Sequence, residues 1–312
     1  MANPACPGCG GEHFTAVPDS TVGAYHLARC AGCGHVATRP EPAAADLAAL
    51  YGEQYYGPEH RRFRGPIEAL TTLFRRWRGW HIARHLRPGT VIDVGCGRGL
   101  LLDQLRRRGW TVIGTELSDE AAEYARDVLG IPMKIGEFPD LDFQPASADA
   151  IILWQTFEHM RQPNAVLKRV YEVLRPGGMA VVSVPNRDSW QARLAGSRWH
   201  HLDVPHHLHH YDEATLRRML ERQGFRVARV EHFNSEQNPF GWLQSLLNMA
   251  SPSTKDAFFQ SLQNGPGGNG NGRRMPLSSM ILLPLLAPAS FGLAAAESLA
   301  RRGGTVTIWA LK

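Results

Sequence analysis

Four cysteines carry the clearest chemical signature in the chain. Cys6-x-x-Cys9 and Cys30-x-x-Cys33 form two CxxC pairs separated by twenty residues, each followed by glycine in CPGCG and CAGCG. Thiolates at this spacing close a tetrahedral four-sulfur zinc site, and the glycines permit tight turns that aim backbone amides at sulfur. With every coordination position filled by protein, the expected Zn2+ is structural. A segment this short buries too little core to fold without it. Disulfide pairing is the rival, and the cytosolic character of the rest of the chain stands against it.

A second concentration of reactive side chains is WHHLDVPHHLHHY, residues 199–211, with six of the chain's fourteen histidines in thirteen positions. Three chemistries compete. A transition metal would need converging imidazoles, and His206, His209 and His210 could share a face on a helical turn. A structural reading has the rings hydrogen-bonded in a loop before Asp212, which caps the next helix. The third is acid–base work: an imidazole titrates near neutral pH, and Asp203 is the natural carboxylate to orient one. His201, His206 and His209 are then the candidate bases.

The third feature is VIDVGCGRGLLL, residues 91–102. An apolar run ends in Asp93, glycines follow at Gly95, Gly97 and Gly99, and a helix begins. Such glycines let the backbone approach a ligand closely at a helix N-terminus. The dinucleotide-binding pattern needs a third glycine three residues after the second, where this chain has Leu100. A second acid, Glu116, closes the next apolar run, where a carboxylate can accept both hydroxyls of a ribose diol across the crevice.

These groups need elements to hold them. From Thr90 the chain alternates short apolar runs with amphipathic stretches, the pattern of βαβ units in a mainly parallel sheet. Strands are expected at 90–94, 111–115, 132–135, 149–154, 179–184, 225–233 and 304–311. Helices are expected at 119–129, between Ser118 and Gly130, and at 213–223, between Asp212 and Gly224. Residues 43–87 read as helical. The segment 264–272, NGPGGNGNG, reads as a loop, and 275–296 is 22 residues without a charge. Three prolines and the need to return strand 304–311 to the same sheet argue against a membrane crossing there. An apolar helical cover or a peripheral membrane contact is expected instead.

The motifs VIDVGCGRG, VIGTELS, ADAIILWQTFEHM and VLRPGGMAVVSVPN resemble, in this order, class I S-adenosylmethionine-dependent methyltransferases over about residues 88–233. The resemblance implies an α/β, Rossmann-like seven-stranded sheet ordered 3-2-1-4-5-7-6. Strand 304–311 would come last, making 234–302 an insertion. The expected organisation is then a zinc ribbon at 1–38, a helical linker at 39–87 and a methyltransferase domain at 88–312. The family implies Asp93, Gly95, Gly97 and Gly99 at the methionine moiety of S-adenosylmethionine, with Glu116 and Leu117 at its ribose. By position it implies Glu137 and Phe138 beside the adenine, and Trp154 with Gln155 by the sulfonium.

The ribbon, LYGEQYYG (50–57) and PHHLHHYDEATLRRMLERQGF (205–225) resemble bacterial methyltransferases with an N-terminal zinc-binding segment, many of them in glycan, lipid or natural-product pathways. Tyr55 and Tyr56 would close over the cofactor or pack the linker. Glu158-His159 also resembles the quinone-pathway O-methyltransferases, whose E-x-x-E-H motif is associated with a divalent ion. Here Gln155 stands at the first acid, which removes one carboxylate. Glu158 and His159 then support the loop, with His159 a further catalytic candidate.

The expected activity is O- or C-methylation of a small-molecule, sugar or lipid-linked acceptor with a histidine base. The alternative is an RNA methyltransferase using the ribbon and the arginines at 61–64 and 75–78. The balance of 34 Lys+Arg against 29 Asp+Glu, net +5, does not indicate a dedicated nucleic-acid binder. The N-terminus shows no apolar leader, so a cytoplasmic enzyme is expected.

Overall fold

The computed structural model describes residues 5–43, 66–251, 255–264 and 276–312. Tyr55, Tyr56, the arginines at 61–64 and most of the glycine-rich loop lie outside the described residues. In chain order the elements begin with β1 (Phe14–Ala16), β2 (His26–Cys30), β3 (Val36–Arg39) and α1 (Pro66–His85). Next come β4 (Thr90–Val94), α2 (Leu100–Arg106), β5 (Thr111–Glu116), α3 (Asp119–Glu123) and β6 (Met133–Ile135). They continue with β7 (Ala148–Trp154), α4 (Pro163–Val173), β8 (Leu174–Pro185), α5 (Trp190–Ala195), β9 (His209–His210) and α6 (Glu213–Arg222). The last are β10 (Arg226–Glu231), α7 (Gln237–Ala250), α8 (Ala257–Asn264), α9 (Leu277–Leu299) and β11 (Thr305–Leu311).

Contacts divide the chain into two units. One comprises 1–70, 185–213 and 231–306; the other comprises 71–184, 214–230 and 307–312. This differs from the consecutive partition at 38 and 87, and the reason is strand pairing. The ribbon strand β3 pairs antiparallel with β9, Val36 opposite His210 and Ala37 opposite His209, so the histidine segment joins the ribbon. A shared apolar cluster of Leu27, Val36, Ala192, Ala195, Trp199 and Leu202 fills the space behind.

The larger sheet has seven strands in the spatial order β10-β11-β8-β7-β4-β5-β6. The pairs β4–β5, β4–β7, β5–β6 and β7–β8 are parallel. Its central strands are apolar on both faces, as the burial of Val91, Ile92, Ile151, Ile152, Val181 and Val182 shows. That explains why they read as continuous apolar runs rather than alternating ones.

Two local differences have physical causes. β8 starts at Leu174, not 179: the Arg-Pro-Gly-Gly stretch stays extended because Gly177 and Gly178 exchange backbone hydrogen bonds with Lys312. The helix after Ser118 is shorter than its pattern, passing into a π-helical turn at Tyr124–Val128. Ser118 still caps it, its hydroxyl accepting from the Ala121 amide at 3.3 Å.

Candidate functional site

The glycine loop leaves β4 and enters α2, with φ of +70° at Gly95, +53° at Gly97 and +66° at Gly99. Side chains other than glycine rarely adopt this left-handed region. Packing adds a second demand at two of the three. A Cβ on Gly95 would lie 2.4 Å from the Thr156 methyl, and one on Gly99 would lie 2.8 Å from Ile131, whereas one on Gly97 would meet nothing within 4 Å. Gly97 is therefore the place where the loop backbone opens to free space among the described residues. The amides of Gly95 and Cys96 bond the Thr115 carbonyl, tying the loop to β5.

Two acids face this loop. Glu116 ends β5, its Oε1 accepting from the Gly97 amide at 2.5 Å and its Oε2 from the Leu117 amide at 3.3 Å. Burial pushes its carboxyl up, against those amides. Burial also pushes Asp93 up to about 7; Arg78 opposes the shift and Glu116 adds to it. A pair of buried, mutually repelling carboxyls is costly to the fold and marks a site for a polar ligand. Leu117 is 56% exposed beside them, an apolar surface without cover. Cys96 packs behind the loop against Met133, 3.8 Å between sulfurs, with its thiol pushed up by burial.

The loop after β7 completes the crevice. Asp93 on β4 lies opposite Ile152 on β7, so the carboxyl ends of these parallel strands are side by side. The Thr156 hydroxyl donates to the Val94 carbonyl at 3.0 Å, laying 155–159 against the glycine loop. Gln155 takes φ +55°. The side-chain nitrogens of Trp154 and Gln155 are buried without a hydrogen-bond partner among the described residues. A strained residue with an orphaned buried donor signals a missing ligand. Arg78, on α1, spreads its guanidinium 4.8 Å over the Trp154 ring. Sequence reasoning missed this residue because it sits in an arginine run, 75–78, that figures only in the RNA-binding alternative. Glu137 is exposed, and Phe138 is buried, its ring 5.7 Å from Phe143.

In the other unit, the four cysteines are free thiols, and their sulfurs all lie within 4.8 Å of one another. Sγ–Sγ separations are 3.5 Å for Cys6–Cys33 and 3.4 Å for Cys9–Cys30. Each knuckle repeats the same turn: Gly10 and Gly34 take φ +79° and +78° and donate to the carbonyls of Cys6 and Cys30. The donor set and its convergence fit a tetrahedral metal.

The histidine segment has a different arrangement from the helical turn that would bring His206, His209 and His210 to one face. His209 and His210 form strand β9. His209 Nδ1 meets His35 Nε2 at 3.1 Å, and His210 Nε2 meets the Thr38 hydroxyl at 3.0 Å. The Thr38 hydroxyl donates to the His207 carbonyl at 2.6 Å. His201 Nε2 bonds the Gln237 carbonyl at 3.3 Å, and His207 Nδ1 bonds the His201 carbonyl at 2.9 Å. His201 and His209, expected as bases, are thus buried in structural hydrogen bonds. His206 Nδ1 meets Asp203 Oδ1 at 3.0 Å.

This burial has a consequence for stability. Burial pulls His201 down to about 3 and His207 down to about 4, and holds His210 well below its usual value. A depressed folded pKa contributes stability above the unfolded value near 6.5 that is lost as pH falls toward the folded one. Thermal midpoints measured between pH 7 and 4 are expected to fall in that window. His207→Asn, which keeps an amide donor for the His201 carbonyl, is expected to flatten the slope.

With this geometry in hand, the relatives of the chain can be placed. A family profile described as a methyltransferase domain matches residues 59–230. Ubiquinone biosynthesis O-methyltransferase of Xanthomonas campestris pv. campestris (strain B100) is 32% identical over 158 residues, 48% of this chain and 66% of that protein. The protein so described from Xanthomonas axonopodis pv. citri (strain 306) is 29% identical over 179 residues, covering 53% and 73%. The chain spans just under two thirds of the length of the first of these relatives. Among solved structures, an S-adenosylmethionine-dependent methyltransferase from Mesorhizobium loti superposes with a TM-score of 0.48 at 17% identity, covering 76% of this chain and 98% of that one. The profile takes in more than half of the present sequence, and the chain belongs to the methyltransferase-domain family.

Proposed function

We propose that this chain methylates a hydroxyl oxygen of a small-molecule acceptor. The observation that carries the reading is the crevice at the carboxyl ends of β4, β5 and β7, where Gly97 opens and the Gln155 amide nitrogen stands buried without a partner among the described residues. The O-methyltransferase relatives supply the acceptor atom. Bound S-adenosylmethionine supplies a methyl group already activated on a sulfonium. Gly95, Gly97 and Gly99 would pass its methionine portion, Asp93 and Glu116 its amino and ribose hydroxyl groups, and Leu117 the adjoining ring. Trp154 and Gln155 would line the sulfonium side.

The protein must then align the acceptor oxygen and take its proton as the carbon–oxygen bond forms and the carbon–sulfur bond breaks. His159, in the loop after β7, is the imidazole assigned to that proton. His206, which pairs with Asp203, is the second candidate on its sequence context alone. The zinc assigned to Cys6, Cys9, Cys30 and Cys33 is structural and takes no part in the transfer.

The test is transfer of labelled methyl to host small-molecule, lipid and RNA fractions. Label in an alkali-stable ether of a small molecule supports the reading, whereas label confined to RNA sinks it. Alanine at the true base is expected to lower kcat by about 10²–10⁴. Cofactor affinity should stay unchanged. If neither His206→Ala nor His159→Ala does this, proton removal by these imidazoles is wrong.

A further inference from the structure

Helix α9 buries little of its surface. Ser279, Ser290, Ala294 and Glu297 face inward, while Ile281 is 69%, Leu285 68% and Leu299 87% exposed. Its other outward positions include Met280 and Phe291, and no charged residue occurs from Leu277 to Ala296. The helix has 23 residues, so this face runs for about 35 Å. An exposed apolar face of that length exceeds what a soluble surface ordinarily carries.

Charge is gathered at its ends. In the sequence Arg273-Arg274 precedes the helix and Arg301-Arg302 follows it. Arg302 pairs with Asp188, and its carbonyl accepts from the Trp190 amide at 3.1 Å, which puts α5 at the C-terminal end of α9. There α5 presents two more exposed apolar side chains, Trp190 and Leu194, with Arg193 between them. Tryptophan and arginine at the rim of an apolar strip match the interface of a bilayer, and arginine matches anionic headgroups.

The helix cannot leave its place to cross a membrane. Glu297 is fully buried, its Oε1 accepting from Gln191 Nε2 and from the Gly304 amide, both at 2.8 Å. The Ser298 hydroxyl donates to the His232 carbonyl at 3.0 Å, and β11 begins at Thr305. A crossing would pull these polar groups apart in hydrocarbon, where each costs several kcal/mol. Lying in the interface plane keeps every one of them.

We propose that α9 and the exposed end of α5 form a docking surface for an anionic lipid bilayer, with the helix in the plane of the headgroups. This goes beyond the methyl-transfer reading and does not depend on it.

The test uses the full chain and sedimentation with vesicles of phosphatidylcholine alone or mixed with phosphatidylglycerol. Binding to the mixed vesicles is expected, at least about tenfold tighter than to phosphatidylcholine and weakening with salt. The double substitution Ile281→Asp, Leu285→Asp should lower binding more than about tenfold, since it puts charge where apolar area enters the interface. Both positions are exposed, so folding should be kept. Calorimetric titration with S-adenosylmethionine in lipid-free buffer checks that, and reports separately on the catalytic reading. Arg301→Glu should weaken binding to the mixed vesicles alone. The proposal is overturned by a wild-type chain that does not sediment with the mixed vesicles, or by a double variant that binds them equally. It is equally overturned if the same double substitution instead dissociates a dimer of the chain that shows no vesicle binding.

Discussion

Gly97→Asp is expected to abolish saturable binding of S-adenosylmethionine while leaving the protein folded. Two facts separate these effects. Gly97 has φ +53°, a region that aspartate tolerates better than most residues, at a cost of about 1–2 kcal/mol. A Cβ there would meet no protein atom within 4 Å, so the new side chain enters the crevice and not the core. It also brings a third carboxylate next to Asp93 and Glu116, which burial already disfavours as anions. Gly95→Ala is the contrasting control. Its methyl would strike Thr156 at 2.4 Å and push the loop after β7 away, so lost binding should come with a lowered thermal midpoint. Calorimetric titration beside a melting curve decides. Tight binding by the Gly97 variant would remove the glycine loop from the cofactor site.

The parallel core and the glycine-loop turn were legible because their signals are local. A strand buried on both faces writes itself as an apolar run, as at 149–154, and a positive φ writes itself as glycine at 95, 97 and 99. What escaped was long-range. Nothing around Val36 announces that its strand will pair with His210, 174 positions later. The histidines therefore read as reactive groups when His209 and His210 bridge two distant segments. Arg78 was hidden likewise: its neighbours Arg75 and Arg76 make the run look solvated, and only the packing of α1 brings its guanidinium over Trp154.

The β3–β9 pairing makes the thiol cluster matter well beyond its own loops. Removing the metal with a strong chelator, or replacing Cys33 by serine, is expected to destabilise the ribbon by several kcal/mol, because a structural zinc site supplies folding energy outright. Cys30 ends β2 and its amide bonds the His35 carbonyl. One residue on, Val36 opens β3, and two further, Thr38 holds the His207 carbonyl and the His210 ring. A knuckle that loses its geometry therefore frees the strand that carries His209 and His210. Hydrogen exchange should show amides of 207–211 losing protection on chelation, while β4 in the other unit keeps its own. Colorimetric zinc release upon thiol blocking should return one ion per chain. Cysteines found paired as disulfides, or exchange at 207–211 unmoved by chelation, would show that the ribbon does not hold the histidine segment in place. The expectation turns a structural metal into a positioning device: the ion would set the strand β3 on which His209 and His210 are held.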